Sequence, residues 1–302
     1  MKYVSLIFFI YFVALWQKSY TQDDIVDYSN IKWKNNLYSI SDLHGDMNAL
    51  LKILKNEKII DNSNNILKKD TLVVITGDVL DPNYDDINIL FFIEDYNIKG
   101  KSMNSKIIML LGNHEINNIC LKFKNRESDQ DKYNNRNELF KKNKSVYNIL
   151  INYPIVIKIN NIIFSHAGVL PFYAYYGINF INLEGKKEIE NNCKLLIEKK
   201  NSLQELCICC NYGPTLNRYY ASVSHNVFKR NMVCSTLYKA LQLLKANTMV
   251  VGHTMQLNYK ANSFCGNKLL LTDTGISQSK NGVISYVKYF PDNTYKTFYI
   301  DR

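Results

Sequence analysis

Apolar positions fall in short, β-branched runs separated by stretches of helical period, and five of the runs stop at a residue able to bind a metal. Thr71 to Ile75 is apolar without alternation, which predicts a strand buried on both faces. It runs into Gly77, Asp78 and Asp81. Leu37 to Ile40 leads to Asp42 and His44, and Ser105 to Leu111 leads to Asn113, His114 and Glu115. Asn160 to Ser165 and Thr248 to Val251 lead to His166 and His253. Between these runs, Met47, Leu50, Leu51 and Leu54 stand at helical spacing, and Ile87 to Ile93 repeats the arrangement. Strands alternating with helices predict parallel βαβ units in an α/β fold. Ligands loaded at the ends of parallel strands then converge on one sheet edge, where such folds keep their sites.

The rest of the pattern is less charged with chemistry. Ile155 to Phe164 predicts a hairpin turning at Asn160 and Asn161, residues that tolerate the positive φ of a tight turn. Residues 170–235 carry no site-strand signal and predict a helical insert over the site. Residues 122–145, crowded with Lys, Asn, Asp and Arg, read as a solvated loop and helix face. From Lys268 the tail returns to strands.

Composition changes this picture in three places. A length of 302 residues with 46% hydrophobic content permits a full core. The net charge of +10 comes mostly from Lys scattered among Asn. A nucleic-acid face needs clustered Arg with interleaved aromatics, so no nucleic-acid partner is expected. Residues 1–22 resemble a signal peptide or signal anchor: Lys2 precedes a mostly apolar run, Val4 to Trp16, too short to span a bilayer comfortably. That segment is the one expected route to membrane association, and it predicts a secretory compartment such as the endoplasmic reticulum lumen. Seven cysteines leave at least one unpaired within the chain. A disulfide involving Cys193 or the Cys207, Cys209, Cys210 cluster is expected, while a structural zinc would need a second C-x-x-C pair that is absent.

Five blocks now take on a common meaning. Asp42-x-His44-Gly45-Asp46, Gly77-Asp78-x-x-Asp81, Gly112-Asn113-His114-Glu115, Ser165-His166-Ala167-Gly168 and Val251-Gly252-His253-Thr254 follow one another as in the calcineurin-like metallophosphoesterases, which the chain resembles. Within them it is similar to the Shewanella-like protein phosphatases, bacterial-type enzymes also found in plants and apicomplexan parasites. Gly213-Pro214-Thr215-Leu216-Asn217-Arg218 resembles their Gly-Pro-Leu-Trp-Tyr-Arg block, and Thr272 to Ser277 their closing strand. The resemblance implies a two-sheet β-sandwich flanked by helices over residues 31–302, with the insert above it.

It also implies a division of roles. Phosphate monoesters resist water because the phosphorus is anionic and the leaving group is an alkoxide or phenoxide. Two metals about 3.5 to 4 Å apart lower the pKa of water and neutralise phosphoryl oxygens. Carried over by motif, one metal takes Asp42, His44 and Asp78, and the other takes Asp78, Asn113, His166 and His253. Manganese, iron or zinc, divalent or mixed-valence, all suit this O/N set. His114 is then the general acid with Asp81 sustaining its proton, and Arg218 a bidentate phosphate fork. Asp46 and Glu115 are expected to support the loops.

One departure stands out: where these phosphatases usually carry Asp-Arg-Gly, the chain has Asp81-Pro82-Asn83. A phosphate-clamping Arg is missing, and Pro has no N–H to offer in its place. The implied activity is phosphatase action on phosphoproteins. The alternatives are a metallophosphoesterase for nucleotides or small phosphoesters, or a catalytically weak phospho-ligand-binding protein.

Overall fold

The computed structural model describes residues 27–120, 136–198 and 207–302, apart from residues 84, 226 and 293. The proposed signal segment lies outside the described residues, as do residues 122–135 of the charged stretch 122–145. In chain order the first half contains β1 (Asn36–Ile40), α1 (Met47–Asn56), β2 (Thr71–Ile75), α2 (Asp86–Gly100), β3 (Ser105–Met109), α3 (Asn113–Ile119), α4 (Arg136–Phe140) and α5 (Ser145–Leu150). The hairpin β4 (Val156–Ile159) and β5 (Ile162–Ser165) follows, then α6 (Pro171–Ala174), α7 (Ile178–Glu198), α8 (Ser222–His225) and α9 (Arg230–Leu243). The chain closes with β6 (Thr248–Val251), β7 (Asn262–Phe264), β8 (Leu269–Leu271), β9 (Ile284–Tyr289) and β10 (Tyr295–Ile300).

These strands form two five-stranded sheets, ordered β10-β9-β1-β2-β3 and β4-β5-β6-β8-β7. In the first, β1, β2 and β3 are parallel and β9 and β10 form an antiparallel pair beside β1. In the second, β5, β6 and β8 are parallel, with β4 and β7 antiparallel at the edges. The architecture is therefore a two-sheet sandwich with helices on the outer faces.

Side-chain alternation explains the layers, since successive residues of a strand face opposite sides. Leu37, Leu72, Val74 and Ile108 of the first sheet meet Ile157, Phe164, Val250 and Leu270 of the second in one buried cluster. Phe164 sits edge-on to Tyr289 across this layer, ring centroids 5.5 Å apart. Deleting such a ring costs about 3–5 kcal/mol. The intervening positions, Tyr38, Ile40, Val73 and Ile75, join Leu50, Ile53, Leu54 and Leu90 of α1 and α2 in a second cluster.

The two sheets are those the resemblance implies, and each contributes parallel strands whose C-terminal ends meet at a shared edge, where the strand pattern alone pointed to one sheet. The charged stretch is not solvated throughout, because Arg136 and Phe140 of α4 are buried. Arg136 reaches Asp86 through both terminal nitrogens, at 2.9 and 2.6 Å, and lies over the Phe140 ring. The hairpin turns at Asn160, φ 54°, and between β5 and β6 the described residues outside loops are helical.

Candidate metal centre

The strand ends approach one another closely, and glycine permits it. A side chain at Gly77 would come within 2.9 Å of His166 Nδ1, and one at Gly112 within 2.3 Å of Asp78 Oδ1. The loop after β2 is then wrapped around Glu115, a buried carboxylate at the start of α3. It accepts from the backbone N–H groups of Asp78, Val79, Leu80 and Gly112 at 2.8–3.0 Å. Glu115 thus holds Asp78 without touching the chemistry. Asp46 braces its loop in a comparable way, with one oxygen capping α1 through Ala49 N–H and the other accepting from Gln278 N–H. His44, Asp78, Asp81 and His253 all hold left-handed backbone, φ 47° to 65°. Such strain in non-glycine residues persists where the surrounding structure over-determines it, commonly at functional sites.

Three imidazoles are aimed by backbone carbonyls. His166 Nδ1 donates to Thr76 O at 2.9 Å, His253 Nε2 to Leu216 O at 3.0 Å, and His44 Nδ1 to Asp81 O at 2.6 Å. These bonds orient the rings and turn the opposite nitrogen of each one inward. His166 Nε2 faces His253 Nδ1 at 3.0 Å, Asn113 Oδ1 at 3.2 Å and Asp78 Oδ2 at 3.3 Å. Four nitrogen and oxygen atoms turned towards one another need a proton or a metal cation among them. His44, Asp78 and His114 make a second group, and the two groups share Asp78. The residues present therefore fit a pair of cations joined through one carboxylate.

Asp42 is placed differently from the other expected ligands. Both its oxygens accept from His253 N–H, at 2.8 and 3.0 Å, and Oδ1 lies 3.8 Å from His166 Nδ1. It stands beside the two groups, at the His166 ring, while His114 lies with His44 and Asp78.

The electrostatics follow from burial and the shared charge. Burial lowers the His166 pKa, but the carboxylates of Asp78 and Asp42 outweigh it and push it up to about 10. A positive charge is held at this point in the absence of an ion. His253 is pushed down to about 3 by burial, His166 and Arg218, so it is a neutral donor. Burial opposes ionisation of Asp78, yet His166, His114 and His44 keep its carboxyl far below the usual range.

His114 differs from the other rings. Its Nδ1 lies 3.3 Å from the Asp81 carboxylate rather than on a carbonyl, and it is raised above its ordinary pKa: burial lowers it, while Asp81 and Asp78 raise it further. Asp81 is itself steadied by Asn118 Nδ2 at 2.6 Å and by Arg136 at 3.5 Å. Asn118, Arg136 and Asp273 are the residues that sequence reasoning missed. Asp273 is buried beside Asp42 and His44, with one oxygen on Gly275 N–H, and burial and Asp42 push it up to about 7. Its signal was available, since Leu269 to Leu271 is another apolar run ending in a carboxylate.

At the rim, Arg218 Nη1 donates to His253 O at 3.1 Å and Thr254 Oγ1 at 2.8 Å, placing its guanidinium next to the group of His166 and His253. Asn83 Nδ2 donates to Ser277 Oγ at 2.7 Å. The residue that follows Pro82 is thus engaged with the closing loop.

Two sheets meeting at a ligand-lined edge, with a carboxylate common to both donor groups, place the protein in the class of metal-dependent phosphoester hydrolases. The chain belongs to the calcineurin-like phosphoesterase family, whose model matches residues 36–257. It is 34% identical to Shewanella-like protein phosphatase 1 of Plasmodium berghei over 284 residues, 89% of this chain and 75% of that one. Shewanella-like protein phosphatase 2 of Arabidopsis thaliana is 39% identical over 83 residues, 28% of this chain and 21% of that one. Among solved structures, the cold-active protein-tyrosine phosphatase of a psychrophilic Shewanella has the same fold, TM-score 0.71 at 22% identity, covering 89% of this chain and 82% of that one. The protein is accordingly a phosphatase-type hydrolase, and its family implies divalent metal ions.

Proposed function

We propose that the protein hydrolyses phosphate monoesters on phosphoproteins with two metal ions held either side of Asp78, in a compartment of the secretory pathway. The observation that carries this reading is the membership of Asp78 in both donor groups. Asp42, His44 and Asp78 would hold one ion, and Asp78, Asn113, His166 and His253 the other. Manganese, iron and zinc all suit this donor set. Such ions, when bound, supply a lowered pKa for water and positive charge against the phosphoryl oxygens. The chain's own residues do the rest. Asp81 holds His114 charged so that Nε2 delivers a proton to the leaving oxygen, and Arg218 orients the phosphoryl group.

Phosphoprotein as substrate is supported by the names of the relatives, which are protein phosphatases. The compartment is supported by the apolar segment Val4 to Trp16 and by three disulfides, Cys120–Cys193, Cys207–Cys210 and Cys234–Cys265, which persist in oxidising surroundings. Cys209 stays free and buried. Chelator-stripped protein with manganese, iron or zinc added back should regain turnover on a phosphopeptide panel. Turnover of nucleotides with none of phosphopeptides would replace the substrate class, and metal uptake without turnover of any phosphoester would end the enzyme reading.

A further inference from the structure

The contact between His114 and Asp81 depends on which way a neighbouring amide faces. Asn118 stands one turn after His114 on α3 and is buried. Its Nδ2 donates twice, to Asp81 Oδ2 at 2.6 Å and to His114 O at 2.8 Å. Turned over, the same amide would set its oxygen against a carboxylate and a carbonyl, and both bonds would become repulsions. The two orientations of an amide are nearly the same in shape, so its hydrogen-bond partners decide between them.

Arg136 makes that choice. It lies at the start of α4, and its Nη2 donates to Asn118 Oδ1 at 3.1 Å across 18 residues of sequence. A guanidinium has donors only, so the atom of Asn118 that meets it is the oxygen, and Nδ2 is left for Asp81. The same Nη2 lies 3.5 Å from Asp81 Oδ1, while His114 Nδ1 is 3.3 Å from Oδ2. One oxygen of Asp81 thus belongs to the arginine side and the other to the imidazole. Arg136 is itself fixed: its terminal nitrogens hold Asp86 at 2.9 and 2.6 Å, and its guanidinium lies over the Phe140 ring, 5.0 Å from the centroid. Asp86 Oδ2 in turn accepts from Asp81 N–H at 3.2 Å. The carboxylate that anchors the arginine therefore also anchors the backbone of Asp81.

Resting on the reading of His114 as general acid, we propose that Arg136 is a positioning residue: by orienting the Asn118 amide it holds the Asp81 carboxylate on His114 Nδ1 and so aims Nε2 at the leaving oxygen. The role is exerted through Asn118 and Asp81. Lysine would keep the charge beside Asp86 but not this role, since a point charge cannot hold a carboxylate by two bonds and an amide oxygen in one plane.

Arg136→Lys separates positioning from a structural part. Removing the cation outright would leave the buried Asp86 carboxylate without its partner, which can unfold the chain; lysine keeps the charge, and thermal melting verifies the fold. With metal content at the wild-type level, kcat of the manganese-loaded protein on a phosphoserine peptide should fall about ten- to a hundredfold with KM unchanged. The fall should shrink on an aryl phosphate whose phenol leaves without a proton. Asn118→Leu, which removes the amide and leaves the pair of Arg136 and Asp86 in place, should reproduce the pattern. In a His114→Asn background neither change should cost anything further, because residues that act through one group are not additive. An equal loss on both leaving groups, a full additional loss beside His114→Asn, or wild-type kcat in Arg136→Lys and Asn118→Leu overturns the assignment. If His114→Asn itself loses as much on the aryl phosphate as on phosphoserine, the acid reading falls and the role of Arg136 with it. If His114→Asn discriminates between the leaving groups and the other two variants do not, the role of Arg136 alone falls.

Discussion

The two sides of Asp78 use the same residue type to opposite ends. His166 and His253 are buried and each is pinned by a backbone carbonyl, which fixes a ring with one nitrogen aimed inward. His114 is partly exposed and is pinned by the Asp81 carboxylate, which favours a protonated ring. Histidine identity therefore says less than the partner of its second nitrogen. In this centre the carbonyl-held rings are the expected ligands and the carboxylate-held ring is the expected acid. His44, on the open side but held by Asp81 O, falls with the ligands.

The most severe way to break this contrast is to remove what the sides share. Asp78→Asn should abolish turnover and lower metal content on both sides, read by mass spectrometry of the bound metal, whereas Asp46→Asn should do less. Wild-type metal content and rate in Asp78→Asn would show that the two groups are not bridged.

His114→Asn tests the acid against the ligands. Loss of a general acid costs about 10²- to 10⁴-fold, with metals retained and with a smaller loss on an aryl phosphate whose phenol leaves without a proton. Because His114 also stands in the group with His44 and Asp78, metal loss comparable to that of His253→Ala would move it to the ligands and reverse the contrast between carbonyl and carboxylate partners.

The gentlest test uses protons. In chelator-stripped protein His166 holds a proton up to about 10, and an ion must displace it. Below that value uptake on the His166 side should release about one proton, so affinity should rise with pH by at most about tenfold per unit. Calorimetry in two buffers of different ionisation heat measures the release. Uptake with no proton released would mean that His166 is already neutral.

How far the sequence foretold this centre depends on where the signal lay. Asp42, His44, Asp78, Asn113, His166 and His253 each end an apolar run, and strand ends are legible from hydrophobic pattern alone. The split of those strands between two sheets is not, since a run does not announce which neighbour it pairs with. Arg136 was hidden for a different reason. Its surroundings are charged, but Asp86 neutralises its guanidinium and Phe140 covers it, and such compensation depends on tertiary contacts. The Cys120–Cys193 bridge closes over 73 residues, a proximity that spacing cannot express. Asp273 carried the strand-end signature and was read as part of a tail strand.

The left-handed residues have an evolutionary consequence. Asp, Asn, His and Gly are the types that most readily accept φ near +50°, and three of them are also metal ligands. At His44, Asp78, Asp81 and His253 the alphabet allowed by the backbone nearly coincides with the alphabet of coordination chemistry. Drift at these positions can exchange an imidazole for a carboxylate or an amide while the loops keep their shape, whereas β-branched replacements are excluded by geometry before chemistry is tried. The fold can therefore explore metal preference and acidity one substitution at a time without risking its architecture.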